Sequence, residues 1–136
     1  MSGERTPVPV NPRELAEPRG YSNGMLAPPG RILSIAGQIG WDAESKLVSE
    51  DIVAQFDRAL GNVIAVLHEA GGVPTDLITL RIYVTDKKLY LARLKEIGLA
   101  YRERMGKHFP AMALVQVADL LETGALVEIE GLAVIP

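Results

Sequence analysis

The stretch SEDIVAQFDRALGNVIAVLHEAGG, residues 49–72, followed by DLITLRIYVT, residues 76–85, decides the fold. In the first segment Ile52, Phe56, Ala59, Val63, Leu67 and Ala70 recur at helical spacing and form one apolar stripe. Ser49 is placed to cap that helix, and Glu50 and Asp51 suit the positive end of its dipole. Gly71, Gly72 and Pro74 stop it. The second segment alternates. Ile78, Leu80, Ile82 and Val84 share one face of a strand, and Thr79, Arg81, Tyr83 and Thr85 share the other.

Outward from this pair the pattern repeats. A second helix is predicted from Asp86, with Tyr90, Leu94, Ile97, Tyr101 and Met105 as its stripe and Gly106 at its end. Gly98 inside it costs about 1 kcal/mol relative to alanine, which predicts close packing against a neighbour. Residues 31–39 read as a strand, with Leu33, Ile35, Gly37 and Ile39 on one side and Ile32, Ser34, Ala36 and Gln38 on the other. Met25-Leu26-Ala27 reads as a short strand before the Pro28-Pro29-Gly30 turn, and two more strands are predicted near residues 111–118 and 125–135. Residues 1–20 hold four of the nine prolines (Pro7, Pro9, Pro12, Pro18) together with Glu4, Arg5, Arg13, Glu14 and Glu17. They read as an irregular lead-in to a single domain over residues 21–136.

The expected class is α+β: a mixed sheet of five to six strands with two helices on one face. Strand alternation assigns Ser34, Gln38, Arg81, Tyr83, Gln116, Glu128 and Glu130 to the uncovered face, among Leu114, Leu132 and Val134. Such a mixed surface suits a partly wet interface between subunits. Composition agrees with one globular domain: 136 residues, 48% hydrophobic and 23% charged. A net charge of −3 gives no long-range attraction to phosphate backbones, so no nucleic-acid partner is expected. The absence of cysteine excludes disulfides, thiolate metal sites and a cysteine nucleophile. No stretch approaches the roughly 20 apolar residues of a membrane helix, so the expected compartment is the cytoplasm.

Several segments then resemble one family in order and spacing. They are Ala36-Gly37-Gln38-Ile39 (S-G-Q-I in the family), Asp51-Ile52-x-x-Gln55, Leu60-x-Asn62-Val63, and Tyr83-Val84-Thr85-Asp86. Phe109-Pro110-Ala111, Gln116-Val117 and Gly124-Ala125-Leu126-Val127-Glu128-Ile129-Glu130 complete the set. Over residues 21–135 the chain is thus similar to the RidA/YjgF family. The resemblance implies a chorismate-mutase-like fold, a homotrimer, and small-molecule sites in three clefts between subunits. In the family's deaminases an enamino or imino acid is hydrolysed there to a keto acid and ammonia. No metal or organic cofactor takes part. An arginine holds the substrate carboxylate, and a glutamate, matched here by Glu128, positions or activates water. Tyr21, Ala36, Gly37, Gln38, Met112, Ala113 and Leu114 match the substrate-binding positions.

The departures from the family pattern carry information. Where the deaminases read P-A-R, this chain has Pro110-Ala111-Met112. A guanidinium grips a carboxylate with two charge-assisted hydrogen bonds, and a thioether cannot. The family serine is Ala36, and a position often held by cysteine or another small residue is Leu114. The second helical segment is also longer than in typical deaminases. These changes point to a ligand that is larger or less anionic, with weak or no activity on 2-aminoacrylate. Two alternatives stay open at this stage: a non-catalytic trimer that binds or senses a metabolite, and RNA cleavage, against which the acidic balance speaks.

Individual residues keep a plain reading beside the sharp one. Glu128 and Glu130 share a strand face and could both be solvated. Met112 could be core filler, and Tyr21 and Trp41 could pack at an interface. His108 follows a helix C-terminus, where a cation is favourable, and His68 is expected on the exposed helix face. Two such histidines do not make a metal site. Arg31 or Arg81 could supply the missing charge or simply form ion pairs.

Overall fold

Asp51, not Ser49, caps the first helix, α1 (Ile52–Glu69): its carboxylate accepts from the Ala54 N–H at 3.1 Å. Ser49 acts one step earlier, its hydroxyl accepting from the Asp51 N–H at 2.9 Å. The apolar stripe is buried as expected, with Ile52, Phe56, Ala59, Leu60, Val63, Ile64 and Leu67 against the sheet. Each large side chain so buried contributes about 1.5–3 kcal/mol. Gly71, at φ +87°, and the Gly72 N–H bonded to the Leu67 carbonyl close the helix.

A computed structural model describes residues 6–136, so residues 1–5 of the expected lead-in lie outside the described residues. The remaining elements are β1 (Val8–Val10), β2 (Gly24–Leu26), β3 (Arg31–Ile39), β4 (Leu77–Val84), α2 (Lys87–Ala92), α3 (Leu94–Met105), β5 (Ala111–Gln116) and β6 (Val127–Ile135). A 3₁₀ turn, Pro74–Asp76, leads into β4. The main sheet runs β3-β6-β4-β5, antiparallel except for the parallel β4–β5 pair, which the α2–α3 crossover makes possible. Among the described residues no helix is long and apolar enough to cross a membrane.

Three expectations about the architecture change. The strands do not form one sheet of five or six: β1 and β2 pair only with each other, and a lone bridge from Ser22 to Ala111 ties them to the edge of the four-stranded sheet. The lead-in is therefore partly ordered as a strand. Pro9 lacks an N–H and is tolerated because β1 is an edge. The second helix is not continuous either. It breaks at Arg93 (φ −114°, ψ 21°), whose guanidinium binds Asp51 at 2.7 Å and also pairs with Glu96. That pairing holds the Asp51 carboxyl below its usual pKa.

The third change is in β3. Ile35 pairs with Gly131 and Gln38 with Ile129, so Ala36 and Gly37 together oppose Glu130 as a bulge. Beyond it the alternation inverts, and Gln38 turns to the helix side while Ile39 pairs with Glu128. The register of β5 makes a related correction. Met112, Leu114 and Gln116 pair with Leu80, Ile82 and Val84, whose side chains face the helices. Leu114 and Gln116 therefore leave the uncovered face, which Ser34, Arg81, Tyr83, Glu128, Glu130 and Leu132 share with Ala113 and Val115.

Two α1 side chains hold the strand ends. Gln55, fully buried, donates to the Ser49 and Gly124 carbonyls at 2.9 and 3.0 Å and accepts from the Leu126 N–H at 2.8 Å. Asn62 donates to the Ile39 and Trp41 carbonyls. Replacing Gln55 by leucine conserves volume but strands three backbone groups, each at about 1–3 kcal/mol. Gln55→Leu is expected to lower stability by about 3 kcal/mol or more, read as a drop in urea midpoint.

The glycines separate in the same test. A Cβ at Gly40 would lie 2.6 Å from the Gln55 Cα, against helix backbone that cannot yield. Around Gly98 there is nothing within 4 Å, so the expected close packing is absent. Gly40→Ala should destabilise, and Gly98→Ala should stabilise by about 1 kcal/mol. A loss on Gly98→Ala would contradict the open space beside it.

Candidate functional site

Glu128 stands on the uncovered face of β6, paired across the sheet with Ile39 and Tyr83. Its neighbour Gly37 explains why the bulge carries a glycine: a Cβ there would sit 2.7 Å from Glu128 Oε2. Ala36 lies beside it in the bulge, exposed. The next carboxylate, Glu130, accepts a short hydrogen bond from the Tyr83 hydroxyl, which raises the pKa of that phenol. Arg81 and Ala113 occupy the same row. Glu128 has no such side-chain bond among the described residues, which leaves its oxygens available to water or ligand.

The second feature lies on the other side of the sheet. Between β5, α2, α3 and the segment before β2 is a cavity of about 570 Å³, within the range of small-molecule sites. Met112 and Leu114 form its sheet wall, Tyr21 and Phe109 its flank, and Tyr90, Leu94, Ile97, Gly98 and Tyr101 its helical wall. Phe109 stacks on Tyr101, with ring centroids 5.5 Å apart. Burial pushes the Tyr90 and Tyr101 phenols up, so both are neutral donors at physiological pH. Tyr101 spends its proton on the His108 carbonyl at 2.8 Å.

The structure thus divides the residues singled out by sequence. Tyr21, Met112 and Leu114 meet at the cavity, while Glu128, Gly37, Ala36 and Ala113 lie on the opposite face. Gln38 joins neither group. The bulge sends it to the sheet's outer edge, beside Trp41, Arg58 and Asn62. His108 contacts the Leu77 carbonyl at 2.7 Å through Nε2, which ties the segment after α3 to β4. His68 is exposed, and no cluster of metal-ligating side chains occurs among the described residues. Neither Arg31 nor Arg81 lines the cavity. Arg19 and Arg102 do, and sequence reading missed both. The available signal was the spacing Leu94, Gly98, Arg102, one face of α3.

The architecture and sequence can be set against known proteins. The family model described as endoribonuclease L-PSP matches residues 12–135. A RutC family protein of Pyrococcus abyssi is 31% identical over 131 residues, covering 96% of this chain and 91% of that protein. A Rid-family protein of unknown function from Yersinia pestis superposes with a TM-score of 0.85 at 32% identity, covering 96% and 99% of the two chains. RidA from an Antarctic Psychrobacter gives a TM-score of 0.67 at 28% identity, covering 97% and 95%. With the α+β fold and these matches in agreement, the chain belongs to the RidA/YjgF (endoribonuclease L-PSP) family.

Proposed function

We propose that this protein acts as a homotrimer whose intersubunit clefts bind reactive enamine- or imine-type metabolites and hydrolyse them, with weak or no activity on 2-aminoacrylate. One observation carries the reading. Within a protomer the sheet itself separates Glu128 from the cavity holding Met112, Leu114 and Tyr21. The two halves can act on one ligand only if the uncovered face of one copy closes over the cavity mouth of another. The surfaces this needs are present. Ile32 is 75% exposed on the uncovered face, and the outer edge of β5, opposite β4, has no strand partner among the described residues beyond the Ser22 bridge. Unpaired apolar edges of that kind are normally covered.

In the cleft, water held by Glu128 attacks the carbon of the C=N bond of the imine tautomer, and the carboxylate accepts the water proton. Glu128 returns that proton to the nitrogen to give the carbinolamine, whose hydroxyl proton then passes to the departing amine, so that ammonia leaves and the carbonyl product remains. Oxygen enters from water and nitrogen leaves with its electron pair, so no redox partner, metal or organic cofactor is required. The compartment consistent with such metabolites is the cytoplasm, and the acidic balance of the chain argues against RNA as substrate. The apolar wall that Met112 and Leu114 give the cavity favours a second reading, a trimer that binds its metabolite without turning it over.

Light scattering should return about three times the 14.7 kDa chain mass, and a stable monomer would overturn the cleft. With serine dehydratase supplying 2-aminoacrylate, keto-acid release should run about 100-fold below that of family members carrying the arginine, since two charged hydrogen bonds are missing. Met112→Arg should recover part of it. Glu128→Gln separates the two readings: it abolishes turnover of an imine substrate if Glu128 handles water, and changes only affinity if the trimer merely binds. Gly37→Ala, which displaces the same carboxylate, should reproduce the effect in weaker form.

A further inference from the structure

The cavity bordered by Met112 holds two cations and no acid. Arg19 enters from the segment before β2 and Arg102 from the last turn of α3, while every other lining residue is apolar, aromatic or glycine. No described carboxylate pairs with either arginine, although the neighbouring Arg93 and Arg104 are both engaged, with Asp51 and Asp57. Both cavity arginines are exposed, so the positive charge sits at the rim and the apolar walls lie behind it. Gly20, at φ +76°, makes the turn that lets Arg19 and Tyr21 line one cavity. The Tyr90 hydroxyl, on a residue only 8% exposed, has no hydrogen-bond partner among the described residues and is a neutral donor within the same walls.

Gly98 fits the same pattern. It lies one turn before Arg102, in the interior of α3, where glycine costs about 1 kcal/mol and no packing demands it. Its missing side chain leaves space behind the rim arginine.

We infer that this cavity takes an amphipathic carboxylate, with the anion held at the rim by Arg102 and Arg19 and an aromatic or branched apolar body lying between Gly98 and Met112. The charge that the family's arginine would place on β5 has moved to α3 and the N-terminal segment, and the space it vacates is apolar. The inference deepens the proposed function by naming the ligand class, and it rests on that reading only in taking the cavity as the ligand site. It requires no turnover.

The test is calorimetric titration of the intact protein with 4-phenylbutyrate and with its uncharged counterpart, 4-phenylbutanamide. The carboxylate should bind at least tenfold tighter than the amide, and the difference should shrink as salt rises. Arg102→Gln should remove most of that preference and Arg19→Gln part of it, while Arg81→Gln, on the opposite face, leaves it intact. Gly98→Leu should abolish binding of both compounds, with circular dichroism and melting checking that the fold is kept. Equal binding of acid and amide, no binding of either, or unchanged preference in both Arg102→Gln and Arg19→Gln would overturn the inference. The proposed hydrolysis fails separately, if Glu128→Gln leaves turnover of an imine substrate unchanged, an outcome that does not touch the preference for acid over amide read here.

Discussion

The Gln55 side chain, fully buried on α1, ties the Ser49 and Gly124 carbonyls and the Leu126 N–H into one point. An apolar residue there would leave polar backbone stranded inside the protein, so the helix start, the loop before β6 and the first residues of β6 are fixed together. Leu126 is two residues from Glu128. The register of β6, and with it the side of the sheet on which Glu128 emerges, is therefore anchored by a helix on the other side. Asn62, seven residues further on, fixes the end of β3 from the same helix. Gly40 lets that strand end come against the helix backbone.

The bulge at Ala36 and Gly37 follows from this anchoring. With Ile35 held in the core and the strand end tied to Asn62, two residues must oppose Glu130 between them. The extra residue brings backbone beside the Glu128 carboxylate without a side chain in the way. A carboxylate on an exposed sheet face stays available to water only where its neighbours neither neutralise nor crowd it. Tyr83 is committed to Glu130, and Glu128 has no side-chain partner among the described residues.

Most of the framework was legible in the chain because its signals are local and repeated: the α1 stripe, the alternation of β4 and β6, and the glycine stops. What escaped depends on contacts between distant residues. No proline or glycine marks the break at Arg93, which the pairing with Asp51, 42 positions away, accompanies. Gly37 is a weak local hint of the bulge, since a glycine inside a strand often marks one, but it does not say where the extra residue falls, and strict alternation then misplaces Gln38. The split of the strands into two sheets depends on where β1 finds a partner, which proline content alone suggested it would not. For the candidate site, the motifs name positions but not the side of the sheet each one faces. Residues two apart on β5 share a face, yet which face is set by the parallel register with β4.

The change at Met112 has a consequence that reaches beyond one lost ion pair. An arginine projecting from β5 into the cavity would hold an anion deep in an apolar space, where screening is weak and a small carboxylate suffices for tight binding. Arginines at the rim are exposed to water and salt, so each contact there is worth less. For the inferred carboxylate ligand, affinity would then come from apolar area buried behind the anion, which a three-carbon enamine cannot supply. On the inferred reading, cations at the rim and apolar residues at Met112 and Leu114 act in one direction. Both transfer selectivity from the carboxylate, which all amino-acid derivatives share, to the side chain that distinguishes them.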